Sequence, residues 1–135
     1  MRYNGQTKRN TFRGKSNNPE NNNKNICTLA VTEYLHVAET VRYLHTYKDV
    51  LRAIRTRYYS HSRLSILGKG KTVGAIRKYI TKLTEGEGNI IGFFVHVDRH
   101  VLFLDGKGKT VVDTDSREKD KRKVLALYIV KTLER

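Results

Sequence analysis

Apolar residues recur at two different periods along this chain, and the change from one to the other falls near Ile90. Between Cys27 and Val37, the residues Cys27, Ala30, Val31, Tyr34 and Leu35 repeat at spacings of three and four, which predicts a helix with Asn25 as its N-cap. A second helix is expected from about Tyr47 to Arg57, burying Val50, Leu51 and Ile54. A third is expected from Val73 to Leu83, capped by Thr72, with Val73, Ile76, Ile80 and Leu83 inward. The basic, aromatic stretch Tyr58–Arg63 reads as a loop and Thr84–Asn89, with Gly86 and Gly88, as a turn.

After Ile90 the β-branched and aromatic stretches Ile90–Val97, Val101–Asp105 and Thr110–Asp113 follow one another. Asp98-Arg99 and the glycine-containing segment 106–109 separate them, as in an antiparallel meander. A charged connection over 116–123 leads to Val124–Leu133. All residues from Val124 to Val130 are apolar, a strand-sized run that predicts a fourth strand. Helices first and strands afterwards imply an α+β fold, with N-terminal helices packed on a C-terminal antiparallel sheet of about four strands. Residues 1–25, rich in asparagine and poor in apolar residues, read as a flexible leader before a domain spanning 26–135.

Charge modifies this picture. The 135 residues carry a formal net charge of +14. The excess is uneven: residues 1–26 hold six basic residues against Glu20 alone, and residues 54–82 hold eight and no acid. Such a field attracts polyanions, so nucleic acid or a ribosome is a partner that Arg55, Arg57, Arg63, Lys69, Lys71, Arg77 and Lys78 would suit. The competing reading is a solvated basic surface without sequence readout. No apolar run reaches the roughly 18 residues of a membrane span, so no membrane is expected as a partner. A single cysteine excludes an internal disulfide and suits a reducing compartment, which makes the cytoplasm the expected location.

That cysteine is also the centre of the candidate chemistry. Cys27 opens the first helix, where unpaired N–H groups and the positive end of the macrodipole would stabilise a thiolate. A lone cysteine is more often a small buried hydrophobe, so position alone does not decide. Downstream, His100 opens a strand after a turn, and Asp113 ends the next one. A glycine turn between them can bring Asp113 beside His100 to hold the ring by its second nitrogen. His96 lies within a strand as a face residue, Asp105 suits the start of a turn, and Asp115 suits a cap. Zinc sites use tighter Cys and His pairs than His96, Asp98, His100 and Asp113 offer, so no metal is expected. Gly70-Lys71-Thr72 before a helix resembles the end of a phosphate loop, but Ser65 stands where that loop needs glycine.

Taken together, Cys27-Thr28 at a helix start, Gly92–Val97, His100–Gly106 and Val112-Asp113-Thr114 resemble the papain-like cysteine peptidase superfamily. The likeness is to its small, compact, phage-borne members and covers about residues 20 to 132. It implies a papain-like fold, no cofactor, a peptide or protein substrate, Cys27 as nucleophile, His100 as general base and Asp113 as orienter. It also implies an amide side chain for the oxyanion ahead of the nucleophile, for which Asn21 is the candidate. A viral origin would place the protein in the host cytoplasm. The alternative is a non-enzymatic basic protein on the same fold, binding nucleic acid, a ribosome or a host protein, with Cys27 structural.

Overall fold

The computed structural model describes residues 26–37, 46–68, 70–113 and 121–133. The leader, Asn21, Asn25, Lys69 and Asp115 lie outside them. The elements in chain order are α1 (Ile26–Tyr34), α2 (Tyr47–Ile54), β1 (Tyr58–Ser62), α3 (Leu64–Leu67), α4 (Val73–Lys78), α5 (Ile80–Leu83), β2 (Ile90–Val97), β3 (His100–Asp105), β4 (Thr110–Val112) and β5 (Val124–Thr132). The fold is α+β, as the sequence implies, but the sheet has five strands, in the order β1-β5-β2-β3-β4, and each neighbouring pair is antiparallel.

The fifth strand is β1, in the stretch expected to be a loop. Its polarity follows from its place: Tyr58–Ser62 forms an edge, pairing only with β5, so alternate residues remain in water. Tyr58 packs against the core on the α1–α2 side, and its hydroxyl donates to the Leu35 carbonyl at 3.2 Å. The apolar run Val124–Val130 is a strand because β5 lies inside the sheet between β1 and β2. Leu127, Ile129 and Val130 are fully buried there, so little of the run needs polar residues.

The helices do not form one layer. Cys27, Ala30 and Val31 of α1, with Val50, Ala53 and Ile54 of α2, pack with Phe94, Phe103 and Val130. Leu67, Val73, Ile76 and Leu83 of the later helices pack with Phe93, Leu102, Leu104 and Ile129. Alternation along β2 and β3 sends successive residues into these two cores, so the sheet is covered on both faces.

Helix bounds also differ from those the periodicity implies. Helix α2 begins in a capping box: Thr46 Oγ1 accepts from the Asp49 N–H at 3.3 Å, and Asp49 Oδ2 accepts from the Thr46 N–H at 3.0 Å. It stops at Ile54 instead of Arg57, because the chain must turn into β1. Helix α1 stops at Tyr34, and His36 just beyond it is left-handed with φ 61°. The single helix expected over Val73–Leu83 is broken at Tyr79, whose φ −103° and ψ 13° leave the helical region. Val73, Ile76 and Leu83 still point inward, so the apolar stripe survives the break.

A thiol, imidazole and carboxylate beneath a cationic cleft

Cys27 is the second residue of α1, so its N–H belongs to the first turn, where helical N–H groups lack intrahelical acceptors. Its side chain packs into the core beside Ala30 and Val31, yet it also lines a cleft of about 650 Å³ at the open end of the sheet. His100 lies at the first position of β3, where a side chain can leave the sheet toward a helix end. Asp113 directly follows β4. The β3–β4 turn is closed by Asp105, whose Oδ1 accepts from the N–H groups of Lys107 at 2.8 Å and Lys109 at 2.9 Å. Asp105 is thus used in the turn, and Asp113 returns to His100.

His100 Nε2 and Asp113 Oδ1 are 2.8 Å apart, and both residues are buried. The Cys27 thiol lies close enough to the same imidazole to favour its protonated form. Burial works to lower the His100 pKa. The hydrogen bond to Asp113 and the nearness of the Cys27 and Asp113 groups outweigh it, so the ring is pushed up from its ordinary 6.5 to about 9. The Asp113 carboxyl, which burial alone would raise, is held below its ordinary value by hydrogen bonds from His100 and Arg122.

Arg122 is the member that sequence reasoning missed. Its Nη2 lies 2.7 Å from Asp113 Oδ2, so the carboxylate is gripped from both oxygens. Arg122 reaches this place because its carbonyl accepts from the Val73 N–H at 2.8 Å, which pins the segment before β5 against the start of α4. No local pattern marks it; it is one basic residue in a charged connection. His96 contributes to the cleft wall as a face residue, stacked on Tyr47 with ring centroids 4.1 Å apart and planes at 15°. Burial keeps its pKa below the ordinary value, the charge of His100 adds to this and that of Asp98 opposes it, so the ring is neutral near pH 7. Among the described residues no three His, Cys, Asp or Glu side chains are grouped to hold a metal ion.

The basic residues do not converge on one surface. Arg55 bonds to Ser60 at 2.8 Å and lies over the Tyr128 ring, and Arg57 donates to the His36 carbonyl at 3.0 Å, both on the α1–α2 side. Arg63 pairs with Glu87 and donates to the Leu83 carbonyl, and Arg77 bonds to Thr110 at 3.0 Å. Lys71 and Lys78 flank a groove along α4. Four of these side chains therefore have structural partners, and the set is split between the two helical layers. Among the described residues no helix is long and apolar enough to cross a membrane.

The shifted pKa values predict a pH-dependent stability. His100 binds its proton more tightly folded than unfolded, so its contribution is complete below about pH 6.5 and is lost as pH rises toward 9. Asp113 acts in the opposite direction: its contribution is present above its ordinary carboxyl value and is lost as pH falls through its lowered one. The His100 shift corresponds to on the order of 3 kcal/mol between pH 6 and pH 9. Urea unfolding at both pH values should show that loss, and His100→Gln should remove most of it. Equal pH dependence in the two proteins would contradict the assigned pairing.

No protein-family model matches this chain, and neither a curated protein nor a solved structure matches it.

Proposed function

We propose that the chain is a papain-like cysteine hydrolase acting on a peptide or amide bond through Cys27, His100 and Asp113. The observation that carries this reading is that Cys27 and His100 line one cleft, with the His100 imidazole bonded behind it to Asp113 at 2.8 Å. Three buried polar side chains meeting at the end of an apolar core need a reason, since burial of such groups costs free energy unless they pair. Catalysis supplies one: a nucleophile, a base in contact with it, and a third group orienting the base.

In the reactive form the proton of Cys27 sits on His100 and the sulfur is a thiolate. The thiolate attacks the carbonyl carbon of a substrate in the cleft, and the carbonyl π electrons move to oxygen. The Cys27 N–H is the available backbone donor to that oxyanion; one such donor contributes roughly 3–4 kcal/mol to the transition state. His100 then gives its proton to the leaving nitrogen as the C–N bond breaks, which leaves a thioester on Cys27. Water, deprotonated by the now neutral His100, attacks the thioester, and the acid product departs as the thiolate–imidazolium pair returns. Asp113, fixed by Arg122, favours the imidazolium in each half of the cycle and keeps the ring turned toward sulfur. Asn21 would be a second oxyanion donor under this reading.

The test is rapid, stoichiometric alkylation of Cys27 in the folded chain by iodoacetamide near pH 7. It is followed by a screen of fluorogenic peptide amides, in which Cys27→Ala should abolish all turnover. A thiol that stays inert in the folded protein would reverse the proposal. It would favour the basic, non-enzymatic module, whose binding to RNA or DNA should weaken steeply with salt.

A further inference from the structure

The wall of the cleft differs from the rest of the site in charge. Lys48 and Arg99 both line it and both are exposed. Among the described residues neither is held in an ion pair, and no carboxylate lines the cleft. Two acids close by in sequence or space are already engaged. Asp49 closes the α2 capping box and pairs with Arg52 at 3.2 Å, and Asp113 is enclosed by His100 and Arg122. Asp98, exposed in the β2–β3 turn, acts on His96 but does not line the cleft.

Arg99 is placed there at a cost. Asp98-Arg99 is the two-residue connection between β2 and β3, with Val97 paired to His100. Arg99 has φ 58°, the left-handed region where such turns ordinarily carry glycine or asparagine. A long side chain in that conformation costs about 1 kcal/mol, and a strained residue beside a reactive group points to a use for its side chain. Here the conformation sets Arg99 at the cleft, in the turn that delivers His100. In the same cleft, the stacked rings of Tyr47 and His96 offer a flat surface for aliphatic carbons.

Resting on the hydrolase reading, we infer that the cleft takes substrates whose acyl part carries a carboxylate next to the scissile carbonyl, held by Arg99 and Lys48. That carboxylate is either an acidic side chain or the end of a chain.

The experiment uses the full-length chain with Cys27→Ser and three probes: N-acetylglutamine amide, N-acetylglutamate α-amide with a side-chain carboxylate, and N-acetylglutamine with a chain-end carboxylate. Binding is read from NMR shifts at Tyr47 and His96. At least one of the two charged probes is expected to bind about fivefold more tightly than the neutral one, the scale of one or two exposed charge pairs. Which of them wins identifies the source of the carboxylate. The preference should shrink between 50 and 500 mM salt, on the order expected from screening. It should be lost in Arg99→Gly, which also relieves the backbone, and in Lys48→Met, but kept in Lys78→Gln on the other helical layer. Equal binding of all three probes, or a preference that survives both cleft substitutions, overturns the inference. Loss of the hydrolase reading shows elsewhere, as a Cys27 inert to iodoacetamide in the wild-type chain.

Discussion

Replacing His100 by alanine is expected to slow the alkylation of Cys27 by iodoacetamide at pH 7 by about 100-fold, the lower end of what a positioned acid–base group contributes. The argument is local. The reagent reacts with thiolate, and the His100 ring, with its pKa pushed up to about 9, is protonated at neutral pH and lines the same cleft as the sulfur. Removing the ring removes that positive charge and leaves a buried thiol with no imidazole to take its proton. Asp113→Asn should fall between the two, because the imidazole stays in place but loses the partner that holds its proton. Since His100→Ala also breaks a buried ion pair and can unfold the chain, His100→Gln and a circular dichroism spectrum accompany it. Folded variants that react within twofold of the wild-type rate would show that the ring does not act on the sulfur, and the hydrolase proposal would fall with that result.

Gly92→Ala is expected to be the most damaging single substitution outside the site, costing more than about 3 kcal/mol. Gly92 lies in β2 between Asp105 of β3 and Val130 of β5, next to an irregularity in the β2–β5 register. A Cβ there would run into the Leu104 carbonyl oxygen and come within 2.6 Å of Phe103 Cε2. Neither can yield: the carbonyl belongs to the adjacent strand, and Phe103 is fully buried in the core that also holds Cys27. A loss of this size is a large part of the roughly 5–15 kcal/mol that stabilises a domain, so the variant should unfold at far lower denaturant or fail to accumulate. Gly86→Ala is the control, with nothing within 4 Å of the added carbon and φ +77°. It should cost about 1 kcal/mol. Similar denaturation midpoints for the two variants would mean that β2 and β3 do not pack as described.

Much of the fold is legible in the chain because the signals are local. The spacing of Val50, Leu51 and Ile54 reports a helix, and Thr46 with Asp49 closes its start within four residues. The strands β2, β3 and β4 announce themselves by β-branched runs cut by short turns. Where the reading fails, the deciding contact is remote. Tyr58–Ser62 is a strand only because β5, some seventy residues later, supplies its hydrogen bonds. The break at Tyr79 depends on how two short helices cover one face of the sheet.

The site divides in the same way. The residue types and their order, a cysteine at a helix start and then a histidine and an aspartate at strand ends, are properties of the sequence alone. They single out Cys27, His100 and Asp113, and they set Asp105 apart as a turn residue. Folding alone decided that Cys27 and His100 line one cleft, that Asp113 and Arg122 stand behind the imidazole, and that Lys48 and Arg99 share that cleft while Arg55, Arg57, Arg63 and Arg77 hold partners elsewhere. The physical reason is range: periodicity and capping act within a few residues, whereas a proton relay and a field at a cleft are sums over groups that only the closed sheet brings within a few ångströms.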